Sequence, residues 1–185
     1  MKSYFLQYRP FFIFLFKFFG FYATLTIAYK LYLSQFETLL ETNVDAFTQL
    51  VANQVQKLLL LFNYECSLTV HANQAWVRIY LDHVYVARIV EGCNALSVII
   101  LFAAFVVAFS GKWKHTIGFI LGGSVLIHFL NIIRIALLCI ALLHYPEHEN
   151  LLHGVIFPLV IYGVVFVLWV IWVNKFSNYA SKTAR

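Results

Sequence analysis

Apolar and polar positions are organised on two scales along this chain. On the long scale, four nearly continuous apolar stretches stand out: Phe11 to Leu33, with Lys17 and Lys30 toward its ends, about Asn94 to Phe109, Thr116 to Leu143, and Leu151 to Val173. A helix that crosses a bilayer needs roughly 20 mostly apolar residues. Each stretch therefore predicts a spanning helix, the second (94–109) with few residues to spare and the third (116–143) long enough to tilt or protrude. The first (11–33) is read as a retained span and not a signal peptide. Its apolar run is longer than such peptides carry, and no convincing small-residue cleavage site follows it.

On the short scale, one polar segment from about Ser34 to Gly92 separates the first two stretches. Ser34-Gln35-Phe36-Glu37 has the form of a capping box, which predicts a helix start there. Leu40, Val44, Phe47, Val51, Val55, Leu58 and Leu59 then recur at helical spacing. This predicts an amphipathic helix that lies on a membrane or packs on the spans. From Leu68 the period becomes two, through Leu68 and Val70, then Ala75, Val77 and Ile79, then Val84 and Val86. With turns at residues 71–74 and 82–83, the pattern predicts a β-meander of two or three strands ending at Glu91-Gly92-Cys93. The fold expected is an all-α integral membrane protein of four transmembrane helices, a single domain over 1–185, with a small outward α+β insertion at 34–92.

Composition excludes the main alternatives. Of 185 residues, 62% are hydrophobic and 11% charged, and the mean hydropathy is +0.81. Soluble domains carry about a quarter charged residues, and a chain this size has no core large enough to hide so much apolar surface. A soluble globular enzyme and a disordered chain are both excluded. The net charge of +5 does not indicate nucleic acid in this setting, because Lys and Arg mark the cytoplasmic flank of spanning helices. With four spans, Lys2, Arg9, Lys112, Lys114, Lys175, Lys182 and Arg185 share one side. Every acidic residue, from Glu37 to Glu149, lies on the other. Both termini are therefore expected in the cytoplasm, with 34–92 and 144–150 facing outward.

A charge within a spanning segment is a functional candidate by default, and Arg134 is the clear instance. It lies 18 residues past Thr116, roughly 27 Å along the helix, in the outer part of the third span. His128, Asn131 and Arg134 are spaced by three and share a face, which Ser124 extends. Span two begins at the outer surface just after Cys93, span three ends there near Arg134, and span four begins there with His153. Separations of 41 and 19 residues mean that only the membrane topology brings these three together. A thiol, an imidazole and a guanidinium suffice for acyl transfer: nucleophile, proton carrier, and clamp for an oxyanion or carboxylate.

Plainer readings stand beside this one. The third-span stripe also suits a polar seam between helices, or a snorkelling Arg. Cysteine often serves as a small apolar filler, which suits Cys139. Cys66 is a possible disulfide partner of Cys93 in an oxidising compartment. His144, His148 and His153 cluster with Glu147 and Glu149, but at no recognised zinc spacing. No phosphate loop or dinucleotide fingerprint occurs. Gly118, Gly122 and Gly123 suit close helix contact.

Glu91-Gly92-Cys93-Asn94-Ala95, then Asn131-Ile132-Ile133-Arg134, then His153-Gly154 resemble the exosortase/archaeosortase family over roughly residues 85 to 175. The resemblance is nearest to the short exosortase F type of the Bacteroidetes. It implies a cysteine transpeptidase or peptidase of the bacterial cytoplasmic membrane, with its site facing the periplasm. Implied substrates are exported proteins with a C-terminal sorting signal: a short motif, a spanning helix and a basic tail. Carried over, Cys93 is the nucleophile, Arg134 the transition-state stabiliser and His153 the general acid/base, with Glu91, Asn131 and His128 in support. No cofactor, metal or nucleic acid is implied; membrane lipids are the surroundings. Two departures are visible. Many members have Ser or Ala and then Gly after the Cys, where this chain has Asn94 and Ala95, and many have about twice as many spans. The alternative function is a non-enzymatic assembly factor of an envelope secretion or glycan system; a metal-dependent protease or transporter is a third reading.

Overall fold

A computed structural model describes residues 8–36, 43–71, 74–109 and 111–177. The chain is mostly helical. The helices are α1 (Arg9–Leu33), α2 (Ala46–Leu61), α3 (Leu96–Ala108), α4 (Trp113–His144) and α5 (Pro146–Phe176). Between α2 and α3 lie three strands, β1 (Cys66–Val70), β2 (Trp76–Leu81) and β3 (Val84–Val90).

Three helices are long and apolar enough to cross a membrane: α1, α4 and α5. Their outer surfaces carry Phe12, Phe16, Phe19, Leu121, Val125, Phe129, Leu159, Phe166 and Val167, all exposed. Water does not tolerate an apolar surface of that extent, so the protein is a membrane protein. The stretch expected to form the second span yields only the 13 residues of α3. At 1.5 Å per residue these reach about 20 Å, short of the roughly 30 Å hydrocarbon core. Phe102, Ala104 and Val106 of α3 are fully buried, so this helix lies inside the bundle, against α1, α4 and α5.

The membrane-side core joins Phe102 and Val106 of α3, Ile127 of α4, and Val165 and Trp172 of α5. Gly123 permits the closest approach, because a methyl group there would collide with the Phe102 ring; Gly118 and Gly122 face open space. Of the three glycines, only Gly123 serves close contact. This predicts opposite signs at adjacent positions. Gly122→Ala leaves stability unchanged or raises it by up to about 1 kcal/mol, through helix propensity. Gly123→Ala lowers it by about 1–3 kcal/mol through overpacking. Thermal unfolding of the two variants in detergent checks the contrast.

The second core forms outside this bundle. Val51, Val55 and Leu59 of α2, Val77, Ile79 and Leu81 of β2, and Ile89 of β3 close on Ile132, Ile135, Ala136 and Cys139 of α4. The length of α4 explains why. Its 32 residues measure about 48 Å, so roughly 18 Å exceeds a hydrocarbon core. The insertion covers that excess, and the amphipathic helix packs on α4 and the sheet.

Two local expectations are corrected. The capping box at Ser34 does not start a helix. Ser34 follows the last turn of α1, and its hydroxyl donates to the Leu31 carbonyl at 2.8 Å; Glu37 and Leu40 lie outside the described residues. The helix starts at Ala46 instead. There Asp45 Oδ1 accepts from the Phe47 and Thr48 N–H groups at 3.1 and 3.0 Å, an N-cap as effective as serine.

The meander forms in the antiparallel order β1-β2-β3, and Asp82 and His83 take the positive φ of a tight hairpin turn. A bulge between Ile79 and Tyr80 shifts the β3 register, so that Val84, Ala87 and Ile89 pair with the core-side Leu81, Ile79 and Val77; Ile89 is buried, and Val84, at the start of the strand, is exposed. A one-residue slip moves every following side chain to the other face, which the simple alternation through Val84 and Val86 misses. The turn expected at 71–74 includes two residues, 72 and 73, outside those described.

Candidate functional site

Strand β3 leads without a loop into a tight turn, Glu91–Cys93, and then into α3. This junction is pinned from behind. Asn94, fully buried, donates to the Tyr29 hydroxyl of α1 and the Thr48 hydroxyl of α2, each at 3.1 Å. Its Oδ1 accepts the N–H of Leu96, the first residue of α3, at 2.9 Å. The Glu91 carboxylate lies beside the same Tyr29 hydroxyl. Ala95 then adopts a left-handed φ of 64°, a conformation that disfavours residues with a Cβ. The resemblance would place glycine here. The departure is thus one of residue type, while the backbone takes the form a glycine would adopt.

From the front, Asn131 of α4 holds the junction. It is fully buried, and its Nδ2 donates to the Cys93 carbonyl at 2.9 Å. Its Oδ1 accepts from Arg134 Nη1 at 3.3 Å. One amide therefore links the Cys93 backbone to the guanidinium. Arg134 is within electrostatic range of Cys93 and of Tyr162 on α5. Its Nε is buried and, among the described residues, has no hydrogen-bond partner. Buried donors are nearly always satisfied, so an unsatisfied one in a cleft marks a place for an acceptor.

His153 arrives from the third direction. It lies on a π-turn, Leu152–Ile156, in the first part of α5. Pro158 has no N–H to offer the Gly154 carbonyl and crowds it, which accounts for the widened turn. Cys93, Arg134 and His153 all line one cleft of about 430 Å³, bounded also by β3 from Tyr85 to Val90, by Ile135, Leu138 and Leu142 of α4, and by Glu149. The cleft thus gathers all three residues singled out for acyl-transfer chemistry.

The supporting candidates divide. Asn131 joins the site directly. Glu91 stands behind the junction, on the Tyr29 side. His128 is turned away from the cleft toward α2, with Nε2 2.9 Å from Gln54 Oε1 and its ring against Phe47. His148 and Glu147 lie 3.2 Å apart on an exposed turn. Among the described residues no three His, Cys, Asp or Glu side chains gather as a metal site requires. All three cysteines are free thiols. Cys66 and Cys139 are buried in the second core, and burial pushes the Cys66 thiol pKa up, while Cys93 is only half-buried. Iodoacetamide is therefore expected to add once to the folded protein, at Cys93, and three times after denaturation in SDS. Peptide mass mapping reads the result.

Sequence reasoning missed Asn94, Arg78 and Arg88. The signal for the arginines was present: Trp76, Arg78 and Tyr80 alternate with buried Val77, Ile79 and Leu81, which marks a second, polar face on β2. Asn94 left no comparable signal, because its partners lie 65 and 46 residues away.

No family model, no curated protein and no solved structure matches this chain.

Proposed function

We propose that the protein is an exosortase-like cysteine transpeptidase or peptidase of the bacterial cytoplasmic membrane. On this reading it trims C-terminal sorting signals from exported proteins at the outer face. The observation that carries it is the convergence of Cys93, Arg134 and His153 on one cleft, from three elements far apart in sequence. In this reading α3 is a shortened fourth crossing, shielded from lipid by its neighbours, and both termini lie in the cytoplasm.

The substrate's own spanning helix docks sideways against the bundle, which sets its scissile amide at the level of Cys93. The Cys93 thiolate attacks the carbonyl carbon. The S–C bond forms first, giving a tetrahedral oxyanion; its collapse breaks the C–N bond, and the leaving amine takes its proton from His153. Arg134, aligned by Asn131, stabilises the tetrahedral oxyanion. A second nucleophile, a lipid amine, a sugar hydroxyl or water, then attacks the thioester, and its proton returns to His153. The test compares protein C-termini across the envelope by mass spectrometry, in cells carrying the wild-type chain or Cys93→Ala. Proteins that keep an apolar, basic tail only in the variant support the reading. Identical C-termini at equal protein levels overturn it in favour of an assembly factor.

A further inference from the structure

A second groove, of about 320 Å³, lies on the polar face of the sheet. Trp76, Arg78 and Tyr80 of β2 and Tyr85 and Arg88 of β3 form it. Arg78 and Arg88 are direct register partners across the two strands. Like charges placed opposite one another destabilise a sheet, and among the described residues no carboxylate pairs with either arginine. The Arg88 guanidinium stacks on the Trp76 ring, 4.5 Å from its centre. Stacking engages the face of a guanidinium and leaves its N–H edge free for an oxyanion. The basic pair is a standing electrostatic defect that a bound carboxylate would relieve.

The groove is not isolated. Tyr85 and Arg88 also line the cleft that holds Cys93. That cleft is bordered by six successive residues of β3, Tyr85 to Val90. Side chains of a strand alternate between faces, so six in succession around one cleft means that the strand's edge borders it. β3 has a single strand neighbour, β2, and its chain runs straight on to Cys93. An edge strand offers its free N–H and C=O groups to an extended peptide.

We infer that the groove and the β3 edge together bind an extended acidic peptide, with a carboxylate held between Arg78 and Arg88 while the segment beyond it runs along β3 toward Cys93. This rests on the peptidase reading only in taking the peptide to be substrate. A membrane surface would need the arginines but not the strand edge, so the peptide accounts for both features.

The test measures binding to the full-length Cys93→Ala chain in detergent, which removes turnover. The probes are fluorescein-labelled hexaglutamate and hexaglutamine, with phosphatidylglycerol micelles and inorganic phosphate as competitors. Hexaglutamate is expected to bind about tenfold tighter than hexaglutamine, the scale of one charge-assisted contact. Arg78→Gln, and independently Arg88→Gln, removes most of that difference. Arg78→Gln also leaves the melting temperature unchanged or higher, since a like-charge contact is relieved, whereas a purely structural arginine would lower it. Equal binding of the two peptides, or indifference to both substitutions, overturns the inference. So does phosphatidylglycerol or phosphate binding through Arg78 when hexaglutamate does not. Failure here leaves the C-terminus comparison standing; failure there leaves an acidic-peptide groove with no reaction attached.

Discussion

Cys93→Ser is expected to fold as the wild type and to leave its substrates almost wholly unprocessed. A hydroxyl is far less ionised than a thiol near neutral pH, so on the peptidase reading the attacking species is lost. Losing the nucleophile while the rest of a site stays intact lowers turnover by roughly 10³- to 10⁶-fold. The side chain is half-buried and, among the described residues, makes no side-chain hydrogen bond that shapes the junction; its backbone carbonyl carries the Asn131 bond and survives the substitution. An unchanged melting temperature with untrimmed C-termini is the expected pair of results. Processing at the wild-type level by Cys93→Ser and Cys93→Ala would remove the thiol from the chemistry.

Asn131→Leu is expected to be the most damaging change that touches neither thiol, imidazole nor guanidinium. Asn131 is fully buried and leucine is of similar size, so packing changes little. What is lost is the donor to the Cys93 carbonyl and the acceptor for Arg134. A carbonyl and a guanidinium edge are left unsatisfied in a dry site, at a cost of about 2–4 kcal/mol. Activity falls by roughly 10²-fold, the scale of a misplacement near 1 Å. Asn131→Asp separates the two roles. It keeps the acceptor for Arg134 and loses the donor to Cys93, so a larger fall in kcat than in apparent affinity points to the position of the thiol. Equal activity of all three chains would mean that the amide is structural only.

How much of this was legible beforehand follows from the range of the interactions. The long helices, the meander and the three chemical residues were readable, because apolar run length, period-two alternation and a charge in an apolar run are local signals. Cys93, Arg134 and His153 could be grouped because the four-span reading brings the start of one apolar stretch, the later part of the next and the start of the last to one side. The beginning of α2 was misplaced because Ser34 and Asp45 both suit a cap, and only tertiary packing chooses Asp45. The β3 register was misplaced because a bulge is a property of a strand pair and not of one strand. The short α3 reads as a span by composition, and its shortfall shows only once its ends are fixed by the Asn94 bonds and by Phe109, whose carbonyl accepts from Trp172 Nε1 at 3.0 Å. Nothing in the sequence announced that the insertion covers the excess length of α4, since that excess reads equally well as tilt.

The π-turn at Leu152–Ile156 has a geometric consequence for how such a protein can change. A π-turn holds one more residue than an α-turn, so it offsets the residues before it from those after it by about 100° around the helix axis. Leu159, Phe166 and Val167, exposed apolar side chains of α5, lie beyond the turn, while His153 and the exposed Val155 and Ile156 lie within it. The direction of the imidazole is therefore offset, by that extra residue, from the part of the apolar stripe beyond the turn. A helix of uniform pitch would tie the two together, and any adjustment of the side that faces the cleft would rotate the apolar stripe as well. Here a single extra residue aims the imidazole differently without turning the apolar stripe beyond it.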